Sequence, residues 1–358
     1  METKLILAIN PGSTSTKIAV FDNAKQIFLS KIKHTSEEID QFEKIADQYE
    51  FRKKLILDEL KYASIPIEKI VSVVGRGGLV KPIKSGVYEV NERLKEDLRI
   101  GILGQHASNL GGLIADDIAK SLPNAKAYIA DPVVVDEFDE VARISGHPLF
   151  ERISIFHALN QKAIARLHAE SLGIAYEELN LIVAHLGGGI SVGAHQKGRV
   201  IDVNQALDGE GPFSPERSGT LPSGALAKLC FSGEYTFSEV KKFITGKGGY
   251  VAYLDTNDAY EVEKRVEAGD EKARLIQDAM VYQTAKEICA MSAVLCGKVD
   301  GILLTGGIIY SKPFVEALNP RISHISKVFA YPGEDEMSAL AMNGLRVIEG
   351  KAEVLVYS

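Results

Sequence analysis

The feature that most constrains the fold is a strand–turn–strand pattern that occurs twice, roughly half a chain apart in 358 residues. The first copy spans residues 5–22, and its turn lies within residues 10–17 (Asn-Pro-Gly-Ser-Thr-Ser-Thr-Lys). The second copy spans residues 181–194, and its turn is the glycine triplet 187–189. Two similar halves, each with a glycine-containing hairpin, predict two like domains that face each other across a nucleotide. That arrangement favours phosphoryl transfer.

The length predicts two domains, each large enough to bury its own core. The boundary is expected in the loop at residues 146–148, which gives domains over residues 1–150 and 151–337. Hydrophobic residues make up 46% and charged residues 25% of the chain, as is ordinary for a soluble globular protein. A net charge of −7 argues against a general nucleic-acid binder, because nothing offsets phosphate repulsion globally.

The sequence has neither a secretory nor a membrane-spanning pattern. The apolar run 5–9 is too short for a signal peptide, and the stretch 288–310 is interrupted by charges and glycines. The three cysteines lack metal-ligand spacing, and Cys289 and Cys296 are expected to be buried free thiols on one face of a helix. These features predict a protein of the reducing cytoplasm that does not engage a membrane.

Apolar strands alternate with helical periodicities, which predicts an α/β fold. Beyond the opening hairpin over residues 4–30, strands are expected at 70–74, 125–130, 181–184 and 301–304, and helices at 36–62, 108–121, 157–172, 286–296 and 337–348.

The two glycine hairpins are candidate phosphate sites. Glycine lets a ligand approach the backbone closely, and successive amide N–H groups in such a turn form an anion-binding concavity. Any tight hairpin can use one such turn, but two in corresponding places favour phosphate binding. Neither turn has a Walker A or Rossmann sequence. A third turn, 305–307, follows a strand and is expected at the adenosine end of the nucleotide.

At this point the chain resembles the acetate and sugar kinase, Hsp70 and actin superfamily, and within it the acetokinase family of short-chain carboxylate kinases. Residues 10–17 are similar to that family's opening motif, and segments 73–78, 208–219 and 331–337 resemble those of butyrate kinases. The resemblance covers nearly the whole chain. It implies two duplicated ribonuclease-H-like (actin-like ATPase) domains with a nucleotide cleft between them, and a helix at about 338–358 that packs back on the first domain.

The resemblance also implies roles for individual residues. The catalytic residues would be Arg217, His157, Asp131 and Arg76. The residues that bind ATP or ADP would be Asn10, Gly12, Ser13, Thr14, Ser15, Thr16, Lys17, His185, Gly187, Gly188, Gly189, Thr305, Gly306 and Gly307. His106 and Arg76 would line the acid substrate, and Mg²⁺ would be held by Asn10 with Glu336 or Asp335. Glu334 is an alternative ligand for the metal, but Glu336 is favoured because it lies directly before a helix.

The implied reaction is direct transfer of the γ-phosphoryl group of ATP to butyrate or a branched short-chain acid. A carboxylate is already ionised at neutral pH, so no general base is needed. Acetate or propionate kinase remains an alternative. A sugar kinase on the same fold would use Asp131 as the base for a neutral hydroxyl. An actin- or Hsp70-like ATPase that binds a protein partner is a third reading, and a homodimer or larger homo-oligomer is expected.

Overall fold

The computed structural model of the protein describes residues 4–358, which divide into two compact units. The first unit comprises the residues up to Val135 together with Asp335–Ser358, and the second is Asp136–Glu334. The division falls earlier than the predicted loop at 146–148. The reason is that the intervening segment bonds to the second unit: Glu137 pairs with Lys162 at 2.6 Å, and the Asp139 N–H donates to Ile201 O at 3.0 Å.

Twelve strands and thirteen α-helices make up the described residues. The strands are β1 (Leu5–Pro11), β2 (Ser15–Asp22), β3 (Lys25–Lys33), β4 (Ile70–Arg76), β5 (Val87–Glu89), β6 (Lys126–Ala130), β7 (Asn180–Leu186), β8 (Ile190–Gln196), β9 (Arg199–Val203), β10 (Gly301–Gly306), β11 (Val328–Pro332) and β12 (Val354–Leu355). The helices are α1 (Ser36–Asp40), α2 (Tyr49–Tyr62), α3 (Glu92–Ile100), α4 (Asn109–Lys120), α5 (Glu140–Arg143), α6 (Ala158–Leu172), α7 (Ser223–Cys230), α8 (Phe237–Ile244), α9 (Gly249–Leu254), α10 (Ala259–Glu267), α11 (Glu271–Val294), α12 (Lys312–Ile322) and α13 (Glu336–Ile348).

Each unit is built on one mixed sheet. In the first unit the strand order is β12-β5-β6-β4-β1-β2-β3, and in the second it is β11-β10-β7-β8-β9. The central strands β1 and β7 each pair antiparallel with the next strand and parallel with a later one, β4 or β10. Five strands therefore repeat in the same order and direction, β6-β4-β1-β2-β3 matching β11-β10-β7-β8-β9. This repetition confirms the predicted duplicated α/β architecture.

Central strands read as continuous apolar runs because helices cover both faces of each sheet. All seven residues of β1 are buried. Helix α4 approaches β4 so closely that a Cβ at Gly75 would lie 2.2 Å from Gly111 O. Helix α13 does the same on β4, where a Cβ at Gly344 would lie 2.8 Å from Val74. These glycines let α4 and α13 pack closely against β4.

One predicted helix is wrong in its extent. The segment 36–62 forms a one-turn helix, α1, then a short 3-10 turn, then α2. Helix α1 begins after a capping box formed by Thr35 and Glu38, but it buries no side chain, so nothing extends it. Helix α2 is held by Arg52, Ile56 and Leu60, which are spaced four apart and are all buried.

The prediction for the cysteines is also wrong. Helix α11 ends at Val294, so Cys296 lies beyond it with a left-handed φ of 52° and is exposed. Cys289 is half-buried, and the third cysteine, Cys230, is exposed. The two thiols therefore do not share a buried helical face. Within residues 4–358, no helix combines the length and the apolarity that crossing a membrane requires.

Candidate active site

The first glycine hairpin joins β1 to β2. Its turn is closed by the Gly12 N–H, which donates to Ser15 O at 2.7 Å, and it leaves Ser13 and Thr14 exposed at the tip. Lys17 is also exposed. Thr16 differs from its neighbours, because its side chain is buried. The exposed donors of the turn are therefore the hydroxyls and amides at the tip.

The interior side of this turn is held by Arg52, a residue that the sequence did not single out. Its buried guanidinium donates to Gly12 O at 2.7 Å, to Ser13 O at 3.1 Å and to Thr16 Oγ1 at 3.2 Å. Burial lowers the pKa of Arg52 to about 10, so the group stays charged at neutral pH. The cation draws the turn carbonyls inward. His34 completes the contact, with Nε2 2.8 Å from Thr16 Oγ1.

Three predicted residues of the first unit meet in a closed set. Arg76, the last residue of β4, places Nη1 2.8 Å from Glu336 Oε1 and 3.3 Å from Asn10 Oδ1. Asn10 Nδ2 in turn donates to the Glu336 carboxylate. Glu336 is the first residue of α13, and Asp335 is its N-cap. Both Asp335 oxygens bond Ser338, at 2.9 Å to its N–H and 2.5 Å to its hydroxyl, so Asp335 is committed to the helix.

The chemistry of this set fits a magnesium ion. Asn10 and Glu336 supply an amide and a carboxylate oxygen, which are ligands that Mg²⁺ prefers. In kinase sites this ion commonly takes one or two carboxylates and completes its shell with water and substrate phosphates. Across residues 4–358 no group of three or more His, Cys, Asp or Glu side chains is arranged to hold a metal.

Asp131 and His106 complete the predicted residues of the first unit. Asp131 follows β6, is buried, and adopts a left-handed φ of 38°. Its Oδ1 accepts from Ser85 Oγ at 2.6 Å and from the Gly86 N–H at 2.9 Å. His106 is exposed, and its Nδ1 accepts from the Ser108 N–H at 3.2 Å. Geometry thus ties the Asp131 carboxylate to its neighbouring loop.

The second glycine hairpin joins β7 to β8. The Gly187 N–H donates to Gly189 O at 3.0 Å, which closes the turn, and Gly188 is exposed at its tip. The Ser214 hydroxyl donates to Gly188 O at 2.6 Å from the loop before Arg217. As in the first hairpin, a side chain from elsewhere in the unit fixes a turn carbonyl.

Arg217 lies directly against this hairpin. A Cβ at Gly189 would stand 2.0 Å from Arg217 Nη1, so only glycine leaves room for the guanidinium. The same Nη1 donates to the Ala206 carbonyl, and Arg217 O accepts from the Ser214 N–H at 3.0 Å. Burial lowers the pKa of Arg217 below its ordinary value. The arginine is therefore held in a fixed position beside a turn of amides.

Two predicted histidines of the second unit are stacked. The rings of His157 and His185 are 3.8 Å apart at an angle of 10°. His157 is the N-cap residue of α6, and its Nδ1 is 2.9 Å from Ser191 Oγ. His185 is buried on β7, with Nδ1 2.8 Å from Asn160 Oδ1. Its Nε2 lies 3.5 Å from Glu334, which places that acidic residue beside a histidine.

The third predicted turn follows β10. Thr305 is buried, and its hydroxyl donates to Gly333 O at 3.0 Å. Gly306 has a left-handed φ of 97°, and a Cβ there would lie 2.2 Å from Leu186 O. Gly307 is different, because a Cβ on it would meet no atom within 4 Å. Gly307 is therefore the exposed part of this turn, as a nucleotide-contacting position requires.

The sequence analysis missed the residues that hold these groups in place. Besides Arg52 and Ser214, they include the buried side chains Gln161 and His195 behind His157. A Cβ at Gly193 would lie 2.6 Å from Gln161 Oε1. This glycine within β8 was therefore the one sign in the sequence that another side chain packs closely there.

Comparison with known proteins identifies the family of the chain. The model of the acetokinase family matches residues 151–324. Butyrate kinase 1 of Clostridium acetobutylicum is 56% identical over 98% of this chain and 99% of its own length. A probable butyrate kinase of Bacteroides thetaiotaomicron is 55% identical over the same shares. The crystal structure of Porphyromonas gingivalis acetate kinase superposes with a TM-score of 0.78 at 19% identity, covering 96% of this chain and all of that one. The chain therefore belongs to the acetokinase family.

Proposed function

We propose that the protein transfers the γ-phosphoryl group of ATP to butyrate, or to a branched acid of similar size, giving an acyl phosphate and ADP in a reversible reaction. The observation that carries the proposal is the position of Arg217. Because Gly189 has no side chain, the Arg217 guanidinium fits directly beside the second glycine hairpin. Such a site stabilises the charge that develops on a transferring phosphoryl group. The proposal agrees with the relatives named butyrate kinase, which match nearly the whole chain.

The reacting groups need positioning and positive charge more than proton transfer. A short-chain carboxylate is already ionised at neutral pH. The barrier is the approach of this anion to an anionic phosphoryl group, which the protein lowers by alignment and cationic contacts. We assign Arg217 and His157 to the transferring group and Arg76 to the acid. The tips of the two hairpins, with their exposed amides and hydroxyls, are assigned to the phosphates of ATP, and Gly307 to its adenosine.

Magnesium would be held by Glu336 and the Asn10 amide oxygen. When bound, this cation would neutralise charge on the nucleotide phosphates. Asp335 is not assigned to it, because its carboxylate caps α13. Arg76 provides the counter-charge for Glu336.

A sugar kinase is the competing enzyme assignment. In that case Asp131 would have to remove a proton from a hydroxyl of the sugar. The structure argues against that role. Asp131 Oδ1 accepts from both Ser85 Oγ and the Gly86 N–H, which hold this oxygen against its own loop. The other alternative is an ATPase that a protein partner stimulates. It predicts that ATP is hydrolysed without any carboxylic acid as acceptor.

The length of the acyl chain is part of the proposal. Near Arg76 in the sequence, Val74 and Val80 are fully buried core residues, whereas Leu79 is only half-buried. Each methylene of the acid contributes about 0.8 kcal/mol when buried, so acids that differ by one methylene differ only modestly in binding free energy.

We further propose a cytoplasmic homodimer or larger homo-oligomer. Light scattering of the protein as it elutes from a sizing column measures the number of subunits directly.

The test is acyl-hydroxamate formation with ATP, Mg²⁺ and hydroxylamine. Acetate, propionate, butyrate, isobutyrate and valerate are compared in parallel, and reactions without ATP are the blank. Hydroxamate with a maximum at four or five carbons supports the proposal. ADP release with glucose or N-acetylmannosamine, in the absence of hydroxamate from any acid, would replace it with a sugar kinase.

A further inference from the structure

The second unit contains a line of buried polar side chains that ends at His157. Tyr176 Oη lies 2.6 Å from His195 Nδ1, and His195 Nε2 lies 2.9 Å from Gln161 Oε1. Gln161 Nε2 lies 2.8 Å from Ser191 Oγ, which is itself 2.9 Å from His157 Nδ1. Tyr176, His195, Gln161 and Ser191 are all buried. Their polar atoms form one continuous hydrogen-bonded line.

The direction of each bond follows from the partners. Gln161 Nε2 is also 3.0 Å from the Ser191 carbonyl oxygen, which only accepts. The amide nitrogen of Gln161 must therefore face Ser191, and its oxygen must face His195. An amide oxygen only accepts, so His195 Nε2 carries a hydrogen. Burial, with Lys162 and Arg166 nearby, holds the pKa of His195 well below its usual range. The ring is neutral, so its Nδ1 accepts the Tyr176 hydroxyl hydrogen.

The same reasoning applies at the other end. Ser191 Oγ accepts from Gln161 Nε2 at 2.8 Å and from the His157 backbone N–H at 3.4 Å, which occupies both of its lone pairs. The one hydrogen of this hydroxyl is left for His157 Nδ1, at 2.9 Å. His157 Nδ1 is then an acceptor, and the ring hydrogen resides on Nε2. The tautomer of a histidine is set by the bond its other nitrogen makes.

We propose that Tyr176, His195, Gln161 and Ser191 form a one-way hydrogen-bond chain whose function is to hold His157 as the Nε2–H tautomer. All donors in the chain point toward His157, so its Nε2 presents a fixed N–H donor. These four are positioning residues that act through His157. The inference rests on the proposed function, since it assigns that donor to an oxygen of the transferring phosphoryl group.

Gly193 is part of the same construction. A Cβ at this position would lie 2.6 Å from Gln161 Oε1 and 3.3 Å from His195 Nε2, so any side chain would separate the two. Stacking on His185 at 3.8 Å keeps the His157 ring plane fixed while Ser191 sets its tautomer. Position and protonation of the ring are therefore set by different neighbours.

The test measures the tautomer directly. Protein labelled with ¹⁵N-histidine is examined by long-range ¹⁵N–¹H correlation, and the His157 signals are those missing in His157→Gln. The wild type is expected to show Nε2–H. Gln161→Met removes the donor to Ser191 and is expected to populate Nδ1–H. Tyr176→Phe, a smaller change at the far end of the chain of bonds, is expected to do so to a lesser extent. Gln161→Met is expected to lower kcat about 10- to 100-fold with KM values little changed.

His168→Gln is the matched control, since His168 is buried in the same unit and bonds a tyrosine hydroxyl, Tyr331, at 2.7 Å. It should leave the His157 signals unchanged. The proposal is overturned if the wild-type ring is in the Nδ1–H form. It is also overturned if the His157 signals of both Gln161→Met and Tyr176→Phe are identical to those of the wild type. The Nε2–H form in a protein that makes no hydroxamate would support the chain of bonds and refute the proposed function instead.

Discussion

The two glycine hairpins occupy equivalent places in the two sheets but are supported by different chemistry. In the first, Arg52 is buried behind the turn and draws the carbonyls of Gly12 and Ser13 inward. In the second, the Ser214 hydroxyl holds Gly188 O, while Arg217 passes directly beside Gly189. The two units thus share the backbone of the hairpin, but their arginines come from different elements and contact it differently. We expect the first arginine to serve nucleotide affinity and the second to serve the chemical step.

Replacing Arg217 with alanine is the sharpest way to break this comparison. We expect kcat to fall about 10²- to 10³-fold, because a contact that stabilises the transition state is lost. KM values should change much less, and the hydroxamate assay measures both. Arg199→Ala removes a half-exposed arginine of the same unit and serves as the control. A loss confined to KM would contradict the assignment of Arg217 to the transferring group.

Gly189→Ala tests the same arrangement without removing a charge. The added methyl would lie 2.0 Å from Arg217 Nη1, so the guanidinium must move. A displacement of about 1 Å costs on the order of 10²-fold in rate. Gly146→Ala is the control, since a Cβ there meets no atom within 4 Å. If Gly189→Ala retained full kcat, the close approach of Arg217 to the turn would not matter for catalysis.

Arg52→Met should act on the first hairpin in a different way. It leaves the part-buried carbonyl oxygens of Gly12 and Ser13 without this donor, which costs at most about 1–3 kcal/mol each in the free energy of unfolding. We expect roughly tenfold weaker ATP binding by calorimetry, about 1.4 kcal/mol, with a smaller effect on kcat. Lys95→Met removes another buried cation of the first unit, paired with Asp116 at 2.7 Å, and should lower stability alone. Equal loss of ATP affinity in both variants would remove the special role of Arg52.

The elements that hold the site were largely predictable because their patterns are local. The β7 strand was expected at 181–184 and spans Asn180–Leu186, and the helix expected at 157–172 is Ala158–Leu172. Apolar runs and glycine turns are visible within a few residues. The strand order was not predicted, since neither sheet joins its strands in simple chain order.

The supporting residues were not predictable for a physical reason. Arg52 and Gln161 sit on helices, where a long polar side chain looks the same in the sequence whether it faces solvent or the interior. The partners of Arg52 on the hairpin lie 36 to 40 residues away, and Gln161 reaches Ser191 across 30 residues. Only the folded sheet brings such groups together. Family motifs mark the residues expected to touch the substrate and say little about the ones behind them.

Acidification is the mildest way to compare the two units, because each has a buried histidine whose pKa burial lowers. Burial lowers the pKa of His34, beside Thr16, and of His195, on β8. Below the ordinary histidine pKa of about 6.5, the unfolded chain therefore binds protons that the folded protein does not. The stability from these rings is present above that pH and is lost as the pH falls, by at most about 1.4 kcal/mol per pH unit for each ring. Melting temperatures between pH 7.5 and 5.5 should fall less steeply in His195→Gln than in the wild type, with a smaller change in His34→Gln. A steeper fall in His195→Gln would show that this ring is charged in the folded protein, which would also contradict the direction assigned to its hydrogen bonds.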